Sequence, residues 1–256
     1  MRIPVLLTLI ASLWCQGSIA KSHSWQAIAL GLDYLQISTP SISTHGRIHA
    51  FKISLENYFI DTVLAKDYDK LALPVAKFAH KTASLVTING GFFSPNYQPL
   101  GLRIQHGNIR SPLKNTSWWG IFYIKNHQAH IINPKQYHAH INPDFAIQAG
   151  PRLVINGNLP SLKGGYAERS ALCIVPTGEV AVIITERAPL TATQFAQILQ
   201  RPLAQGGIGC QDALNLDGGS SSQLYVKLPN FSLSVISFHD ITDAITIKPR
   251  THLYRL

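Results

Sequence analysis

The chain lacks several features that mark common classes of protein. After its first residues it has no apolar run long enough to cross a membrane, so no second membrane segment is predicted. Its Lys and Arg residues form no cluster and accompany no aromatic–basic motif, so we predict no nucleic-acid partner. Carboxylates are also unclustered, which argues against a metal-dependent phosphodiesterase, and we predict no cofactor and no metal site.

Cysteine is scarce, with three residues in the chain. Cys15 lies in the apolar leader described next, which leaves Cys173 and Cys210. An even pair in an oxidising compartment is compatible with a disulfide. Both residues also lie in apolar surroundings, where a buried free thiol is equally common. The sequence leaves these two alternatives open.

Residues 1–20 have the pattern of a cleavable secretory signal. An early positive charge at Arg2 precedes an apolar run over residues 3–14 and a small-residue exit. That run is shorter than the roughly 20 residues of a spanning helix. A lipid anchor on Cys15 is a weaker alternative, because the bulky Trp14 precedes it. We therefore predict a periplasmic or secreted protein, without stable membrane insertion after cleavage, and one domain over residues 21–256.

Basic residues outnumber acidic ones, with 22 Lys and Arg against 13 Asp and Glu and a formal net charge of +9. This balance favours anionic partners, such as phosphate-bearing glycans or an acidic envelope surface. A basic composition is also common in exported proteins, so it does not identify the substrate.

Short alternating apolar and polar runs, such as residues 46–55, predict strands over much of the chain. Helices are predicted over residues 71–81 and after Thr191, where Gln194 completes a capping box. Because helices and strands do not alternate regularly, we predict the α+β class. The expected form is a strand-rich single domain with a mixed or antiparallel sheet and a few packed helices.

Residues 209–226 contain the pattern most typical of a functional site. An apolar run over residues 213–216 stops at Asp217, and Gly218, Gly219 and three serines follow at once. Glycines permit a positive φ and let backbone N–H groups approach a ligand. An Asp-Gly pair alone is more often a tight turn, so the interpretation depends on the rest of the chain.

Three further segments accompany that stretch. Residues 88–93 read Ile-Asn-Gly-Gly-Phe-Phe, residues 148–153 read Gln-Ala-Gly-Pro-Arg-Leu and precede Asn-Gly at 156–157, and residues 169–171 read Arg-Ser-Ala. In this order, the four segments resemble the signature of the phosphodiester glycosidase family. Some members have a third glycine where this chain has Ser220, so the turn here is expected to be less permissive.

The resemblance implies the same fold class and hydrolysis of a glycosyl phosphodiester. This reaction needs a held phosphate, an oriented sugar and a carboxylate at the anomeric centre. We assign catalysis to Asp217 and Arg169, with Arg169 and the turn after Asp217 holding phosphate. The predicted substrate-binding residues are Asn89, Gly90, Gly91, Gln148, Gly150, Ser170, Asn215, Gly218, Gly219, Ser220 and Ser221. Among these, Asn89, Gln148 and Asn215 are expected to orient the sugar.

A second carboxylate is not fixed by the sequence, and Glu168 and Glu186 are candidates. The predicted partner is a phosphorylated glycan or another sugar phosphodiester. The leading function is an exported hydrolase of a sugar-1-phosphodiester, and the alternative is a non-catalytic module that binds an anionic envelope polymer. The histidine-rich segment, with His127, His130, His138 and His140, is more typical of an exposed loop than of a metal site.

Overall fold

A computed structural model describes residues 24–39 and 44–250. In this part of the chain, seventeen strands pair antiparallel with their neighbours. The strands are β1 (Gln26–Ala29), β2 (Leu32–Ser38), β3 (Arg47–Ile53), β4 (Tyr58–Leu64), β5 (Val86–Asn89), β6 (Arg103–Gln105), β7 (Asn108–Ser111), β8 (Gly120–Lys125), β9 (Gln128–Ile132), β10 (Phe145–Ala149), β11 (Arg152–Val154), β12 (Ser170–Ile174), β13 (Val180–Glu186), β14 (Asp212–Asn215), β15 (Leu224–Leu228), β16 (Phe231–Val235) and β17 (Asp243–Pro249).

The strands form three sheets. The first has the order β1-β2-β3-β13-β12-β14-β11, the second β7-β6-β10-β8-β9, and the third β16-β15-β5-β17-β4. The strand-rich character is confirmed, and all the pairing is antiparallel. The α+β assignment is corrected to a mainly β architecture, since two short helices accompany three sheets. The sequence pattern predicts single strands, but it does not tell which distant strands pair and so how many sheets they form.

Two α-helices pack on the outer faces of sheets. Helix α1 (Val75–Thr82) follows Pro74, and helix α2 (Ala192–Gln200) begins after Thr191, whose capping box with Gln194 is confirmed. Helix α1 packs on the third sheet and α2 on the first. Single 3-10 turns occur at Ala65–Tyr68, Pro134–Gln136, Ala139–Ile141, Leu203–Gln205 and Gly219–Ser221.

One apolar core lies between the inner faces of the three sheets. Phe51 and Leu172 of the first sheet, Phe122 of the second and Val86 and Ile245 of the third are all buried in it. Burial of such side chains contributes roughly 1.5–3 kcal/mol each, relative to leaving them exposed. This shared core holds the strand ends of different sheets at fixed distances from one another.

Cys173 and Cys210 form a disulfide with a Cα–Cα distance of 5.7 Å. The bond joins β12 to the segment before β14, which resolves the two alternatives in favour of the bridge. The predicted signal over residues 1–20 lies outside the described residues. Within residues 24–39 and 44–250, no helix has the length and apolar character needed to cross a membrane.

Candidate active site

Strand ends from all three sheets meet at one place. Ser170, at the start of β12, donates from Oγ to Asn89 Oδ1 at the end of β5, at 2.7 Å. Asn215, at the end of β14, donates from Nδ2 to the carbonyl oxygen of Gly150, after β10, at 3.1 Å. These two contacts join residues from all four of the sequence segments that suggested a site.

The Asn89 side chain is fully buried and holds the turn that carries Asp217. Its Nδ2 donates to the carbonyl oxygens of Asp217 at 2.9 Å and Gly90 at 3.1 Å. Its Oδ1 accepts from Ser170 and from the backbone N–H of Gln223, at 3.2 Å for the latter. Both polar atoms of this amide therefore have protein partners, and Asn89 fixes the backbone around the site.

Asp217 lies two residues after the end of β14 and is half-buried. Its Oδ1 accepts the N–H of Gly218 at 2.9 Å, and its carboxyl also accepts from the Ser221 side chain. Burial raises the pKa of Asp217, the hydrogen bonds from Ser221 and Gly218 lower it, the charge of Asp243 raises it and the charge of Arg103 lowers it. The net shift of the pKa is upward, so Asp217 takes up a proton at a higher pH than an exposed aspartate.

The two charged neighbours of Asp217 form a buried ion pair. Arg103 Nε lies 2.7 Å from Asp243 Oδ2, and both side chains are 0% exposed. Arg103 Nη1 also donates to the carbonyl oxygen of Gln148 at 3.0 Å. Such additional hydrogen bonds compensate for the loss of water around a buried charge.

Gly90 and Gly91 make room for this ion pair. A Cβ at Gly90 would lie 2.1 Å from Asp243 Oδ2, and a Cβ at Gly91 would lie 2.5 Å from Arg103 Nη2. Neither Arg103 nor Asp243 was predicted from the sequence to belong to the site. One signal could have identified Arg103: it is a charged residue between two apolar ones, Leu102 and Ile104, in a predicted strand pattern.

Hydrogen bonds hold the turn after Asp217 to neighbouring segments. The N–H of Gly219 donates to the carbonyl oxygen of Glu168 at 2.8 Å, and a Cβ at Gly218 would lie 2.9 Å from the same oxygen. Gly219 has a φ of 61°, in the left-handed region that favours glycine. Ser220 Oγ lies 2.5 Å from His239 Nδ1. The conformation of this turn therefore requires both glycines, while the exposed position 220 accepts a serine.

The sequence profile of the family described as phosphodiester glycosidase matches residues 82–248, which include every residue named at this site. The chain belongs to this family. Its structure is similar to that of the catalytic domain of zebrafish N-acetylglucosamine-1-phosphodiester alpha-N-acetylglucosaminidase, auto-inhibited by its pro-peptide. That likeness has a TM-score of 0.65 and 16% identity, and it covers 90% of this chain and 87% of that one.

Two further proteins are similar to the chain. A hypothetical protein from Synechocystis matches with a TM-score of 0.62 and 17% identity, over 86% of this chain and 62% of that one. The uncharacterized protein YigE of Escherichia coli (strain K12) is 26% identical over 154 residues, which cover 56% of this chain. The match spans 58% of that relative's length. The two structural likenesses show a shared fold.

Arg169, which was predicted to hold phosphate, has other contacts than Arg103. Its Nε donates to the carbonyl oxygen of Leu190 at 2.9 Å and its Nη2 to that of Gly165 at 2.6 Å. Burial lowers the pKa of the Arg169 guanidinium, which nevertheless stays charged at neutral pH. The arginine whose charge acts on Asp217 is Arg103.

Gln148 is fully buried between two segments. Its Oε1 accepts the N–H groups of Leu102 and Lys114, each at 2.9 Å, and its Nε2 donates to the Lys114 carbonyl oxygen at 2.7 Å. In this member of the family, the Gln148 amide thus holds the segment around Lys114. Gly150, two residues later, packs tightly on Trp119, because a Cβ there would lie 2.8 Å from Trp119 Cα.

Buried polar atoms without a hydrogen-bond partner are concentrated at the site. Among the described residues there are four, and three of them are Asn215 Oδ1, Ser222 Oγ and Trp119 Nε1. Asn215 and Ser222 flank Asp217 in sequence, and Trp119 packs beside Gly150. Buried polar atoms are rarely left unpaired in folded proteins, so these atoms are suited to bind water or a polar ligand.

Two cavities are candidates for the substrate site. The larger, about 660 Å³, includes Tyr58 and Pro249, which pair at one end of β4 and β17. Asp243 pairs with Leu64 at the other end of the same two strands, so the larger cavity lies away from Asp217. A second cavity, about 590 Å³, includes Gly219 of the turn after Asp217. Its position makes it the better candidate.

The histidine-rich segment makes local contacts. His138 and His140 stack with ring centroids 5.4 Å apart, His130 stacks on Tyr123 at 4.8 Å, and His127 Nδ1 lies 3.7 Å from a Glu56 oxygen. In residues 24–39 and 44–250, no three His, Cys, Asp or Glu residues group in a way that would hold a metal ion.

Proposed function

We propose that the chain is an exported hydrolase that cleaves the glycosidic C–O bond of a sugar-1-phosphodiester in an envelope or extracellular glycan. Family membership supports a reaction on glycosyl phosphodiesters. The name of the zebrafish enzyme includes an N-acetylglucosamine-1-phosphodiester, which suggests the substrate to test first. The observation that carries the proposal is Asp217, a half-buried carboxyl with a raised pKa among buried, unpaired polar atoms.

Asp217 supplies the charge that the reaction needs. Cleavage of the anomeric C–O bond develops positive charge on the sugar ring, and a carboxylate stabilises that charge, attacks it or activates water. The hydrogen bonds from Gly218 and Ser221 fix the orientation of the carboxyl before substrate binds. Because these groups are already in place, little reorganisation is required during the reaction.

Arg169 is suited to the phosphate. Two of its five N–H groups donate to the carbonyl oxygens of Leu190 and Gly165, and these contacts orient the guanidinium. The other N–H groups have no partner among the described residues. A guanidinium with free donors binds phosphate oxygens through two parallel hydrogen bonds. Phosphate is a good leaving group, so a dedicated general acid matters less here than in ordinary glycosidases.

Export has separate support. The leader over residues 1–20 has a positive charge, an apolar run and a small-residue exit. The Cys173–Cys210 disulfide is typical of proteins that work in an oxidising compartment. We therefore propose that the mature protein works in the periplasm or outside the cell.

The decisive experiment is hydrolysis in water labelled with oxygen-18. The mature protein is incubated with the methyl phosphodiester of N-acetylglucosamine 1-phosphate, with and without chelator, and the label is located by mass spectrometry. Label in the sugar hydroxyl is expected, since it requires C–O cleavage. Label in the phosphate would mean P–O cleavage and would overturn the glycosidase proposal. Tight binding without turnover would favour the non-catalytic binding module.

A further inference from the structure

The cavity beside the turn after Asp217 has two walls of different chemistry. Its volume is about 590 Å³, within the range of roughly 300–1,000 Å³ that is usual for small-molecule sites. Glu168, Glu186 and Arg187 form what we call its charged wall, and Ile236 and Phe238 form its apolar wall. The proposed reaction above assigns no role to either wall.

Glu186, at the end of β13, is held by a buried histidine. His49 Nε2 lies 3.1 Å from Glu186 Oε2, and the Tyr34 hydroxyl lies 2.8 Å from His49 Nδ1. His49 is 1% exposed, and burial lowers its pKa, so its ring is neutral at neutral pH. An ionised carboxylate only accepts hydrogen bonds, so the neutral ring donates to Glu186 from Nε2, and Nδ1 faces the Tyr34 hydroxyl.

This arrangement orients the Glu186 carboxylate and leaves one of its two oxygens available to a ligand. Oε2 is engaged with His49, and Arg47 Nη1 lies 3.9 Å from the same oxygen. The other oxygen, Oε1, has no protein partner among the described residues. The Glu186 side chain is 23% exposed and lines the cavity, so Oε1 is available to accept hydrogen bonds from a ligand.

The apolar wall belongs to the loop over residues 236–239, which is hydrogen-bonded to the turn after Asp217. Phe238 is 100% exposed and Ile236 is 84% exposed. Ser237 Oγ donates to the carbonyl oxygen of Ser220, and His239 Nδ1 lies 2.5 Å from Ser220 Oγ. Residues on both sides of Phe238 are therefore fixed, and the protein holds an aromatic ring in water beside the site.

A pyranose ring matches both walls. Its hydroxyl groups donate to carboxylate oxygens, while its C–H face packs on an aromatic ring. The residues that line the cavity include two carboxylates, Glu168 and Glu186, and one arginine, Arg187, which favours an uncharged hydroxyl donor over a phosphate. We propose that the cavity is the sugar-binding subsite, with Glu186 accepting from sugar hydroxyls and Phe238 stacking on the ring. This inference rests on the proposed function for the identity of the substrate.

The test measures sugar binding separately from hydrolysis. Dissociation constants of N-acetylglucosamine, glucose, galactose, mannose and methyl phosphate are measured by ligand-observed NMR for the wild type and two variants. Glu186→Gln removes a charged acceptor, and Phe238→Ser removes the stacking ring. For the sugar that binds best, each change is expected to weaken binding about tenfold, as the loss of a charged hydrogen bond or an aromatic contact predicts. Binding of methyl phosphate is expected to stay within about twofold.

A matched control separates the cavity from general effects of surface changes. Ile109 is 68% exposed on β7, outside the cavity, and Ile109→Ser is expected to leave sugar binding unchanged. Because Phe238 is fully exposed, its replacement is expected to leave thermal unfolding unchanged as well. Sugar affinity that is equal in the wild type, Glu186→Gln and Phe238→Ser would overturn the subsite, as would a wild type that binds no sugar.

His49 is a positioning residue in this proposal. His49→Gln keeps an N–H donor for Glu186 and is expected to keep sugar affinity within about threefold, whereas His49→Leu is expected to weaken binding as much as Glu186→Gln. Equal affinity in both His49 variants would remove the positioning role.

Hydrolysis by the same variants distinguishes this inference from the proposed function. Turnover with an unchanged KM in Phe238→Ser and Glu186→Gln would overturn the subsite and leave the hydrolase. Sugar binding that depends on Glu186 and Phe238, without turnover in the wild type, would support the subsite and overturn the hydrolase.

Discussion

Arg103 Nε and Asp243 Oδ2 are 2.7 Å apart in a place that water does not reach, and the two residues are separated by 140 positions in the chain. The pair joins β6 of the second sheet to β17 of the third, next to Asp217. Gly90 and Gly91 follow β5 and have no side chains because the ion pair occupies that space. The ion pair thus links the sheets at the point where the proposed chemistry takes place.

Breaking this pair is expected to destabilise the fold strongly. In Asp243→Asn, a buried guanidinium loses its counter-charge, so the free energy of unfolding should fall by about 3–5 kcal/mol. Urea unfolding followed by fluorescence measures the change. The double variant Arg103→Met with Asp243→Leu leaves no unpaired charge and is expected to be more stable than Asp243→Asn. Single-variant losses under about 1 kcal/mol would contradict a tightly coupled buried pair.

The turn that carries Asp217 could be predicted from sequence, because its signals are local. Asp217 follows a short apolar run and precedes two glycines, and β14 ends at Asn215, one residue before the end of that run. The Thr191 capping box likewise depends on residues three apart. Such patterns reflect turn and cap chemistry, which neighbouring residues determine.

Long-range contacts were not predictable in the same way. Nothing in the strand patterns indicates that Arg103 would meet Asp243, or that Asn89 and Gln148 would use their amides on the protein backbone. Pairing between strands distant in sequence decides these contacts. The same limit explains why a single sheet was expected where three antiparallel sheets form.

Removing the disulfide should destabilise the protein without unfolding it at room temperature. Cys173 and Cys210 close a loop of 37 residues, and the loop-entropy relation gives about 4 kcal/mol for a loop of that length. The double variant Cys173→Ala with Cys210→Ala should therefore unfold at a lower urea concentration than the oxidised wild type.

The double variant lacks the two sulfur atoms as well as the cross-link. Reduced wild-type protein keeps both sulfur atoms and lacks only the cross-link, so it is the control. It should approach the double variant in stability, because both lack the cross-link. If reduction leaves the unfolding midpoint unchanged, the bridge makes no contribution to stability. Mass spectrometry before and after alkylation reports the oxidation state in each sample.

Stability should also depend on pH through Asp61. Burial raises the pKa of this carboxyl to about 6, from an ordinary value of 3.8, although His106 Nε2 lies 3.0 Å from its Oδ2. Between those values the folded state binds more protons than the unfolded state, so stability is lost as the pH rises from about 4 to about 6. Asp61→Asn should gain up to about 3 kcal/mol relative to wild type across that window.

The measurement is urea unfolding of both proteins at several pH values from 4 to 8. The difference between them cancels the titration of groups that they share, such as Asp212 and Asp217. His106→Gln removes a positive charge that lowers the pKa of Asp61, so it should move the window to higher pH. A difference between wild type and Asp61→Asn that does not change with pH would show that Asp61 does not titrate as described.

Replacing Asp217 should separate activity from stability. Asp217→Asn keeps the shape of the side chain but removes its charge, so kcat for the sugar phosphodiester should fall by about 10²–10⁴-fold. Because burial raises the pKa of Asp217, ionising it disfavours the folded state at neutral pH. The variant should therefore be at least as stable as wild type at pH 7, and the two should converge at low pH, where Asp217 is protonated.

Asp212→Asn is the matched control, because Asp212 lies at the other end of β14. Its Oδ1 accepts the N–H of Asn156 at 3.0 Å, away from the substrate, so the change should leave kcat within about twofold. The pH profile gives a second test: wild-type kcat/KM should fall on acidification at a pH above the ordinary aspartate pKa of about 3.9, since the raised pKa of Asp217 governs that limb. Full activity in a stable Asp217→Asn protein would rule out the carboxylate role, and equal losses in both variants would show a structural effect of β14.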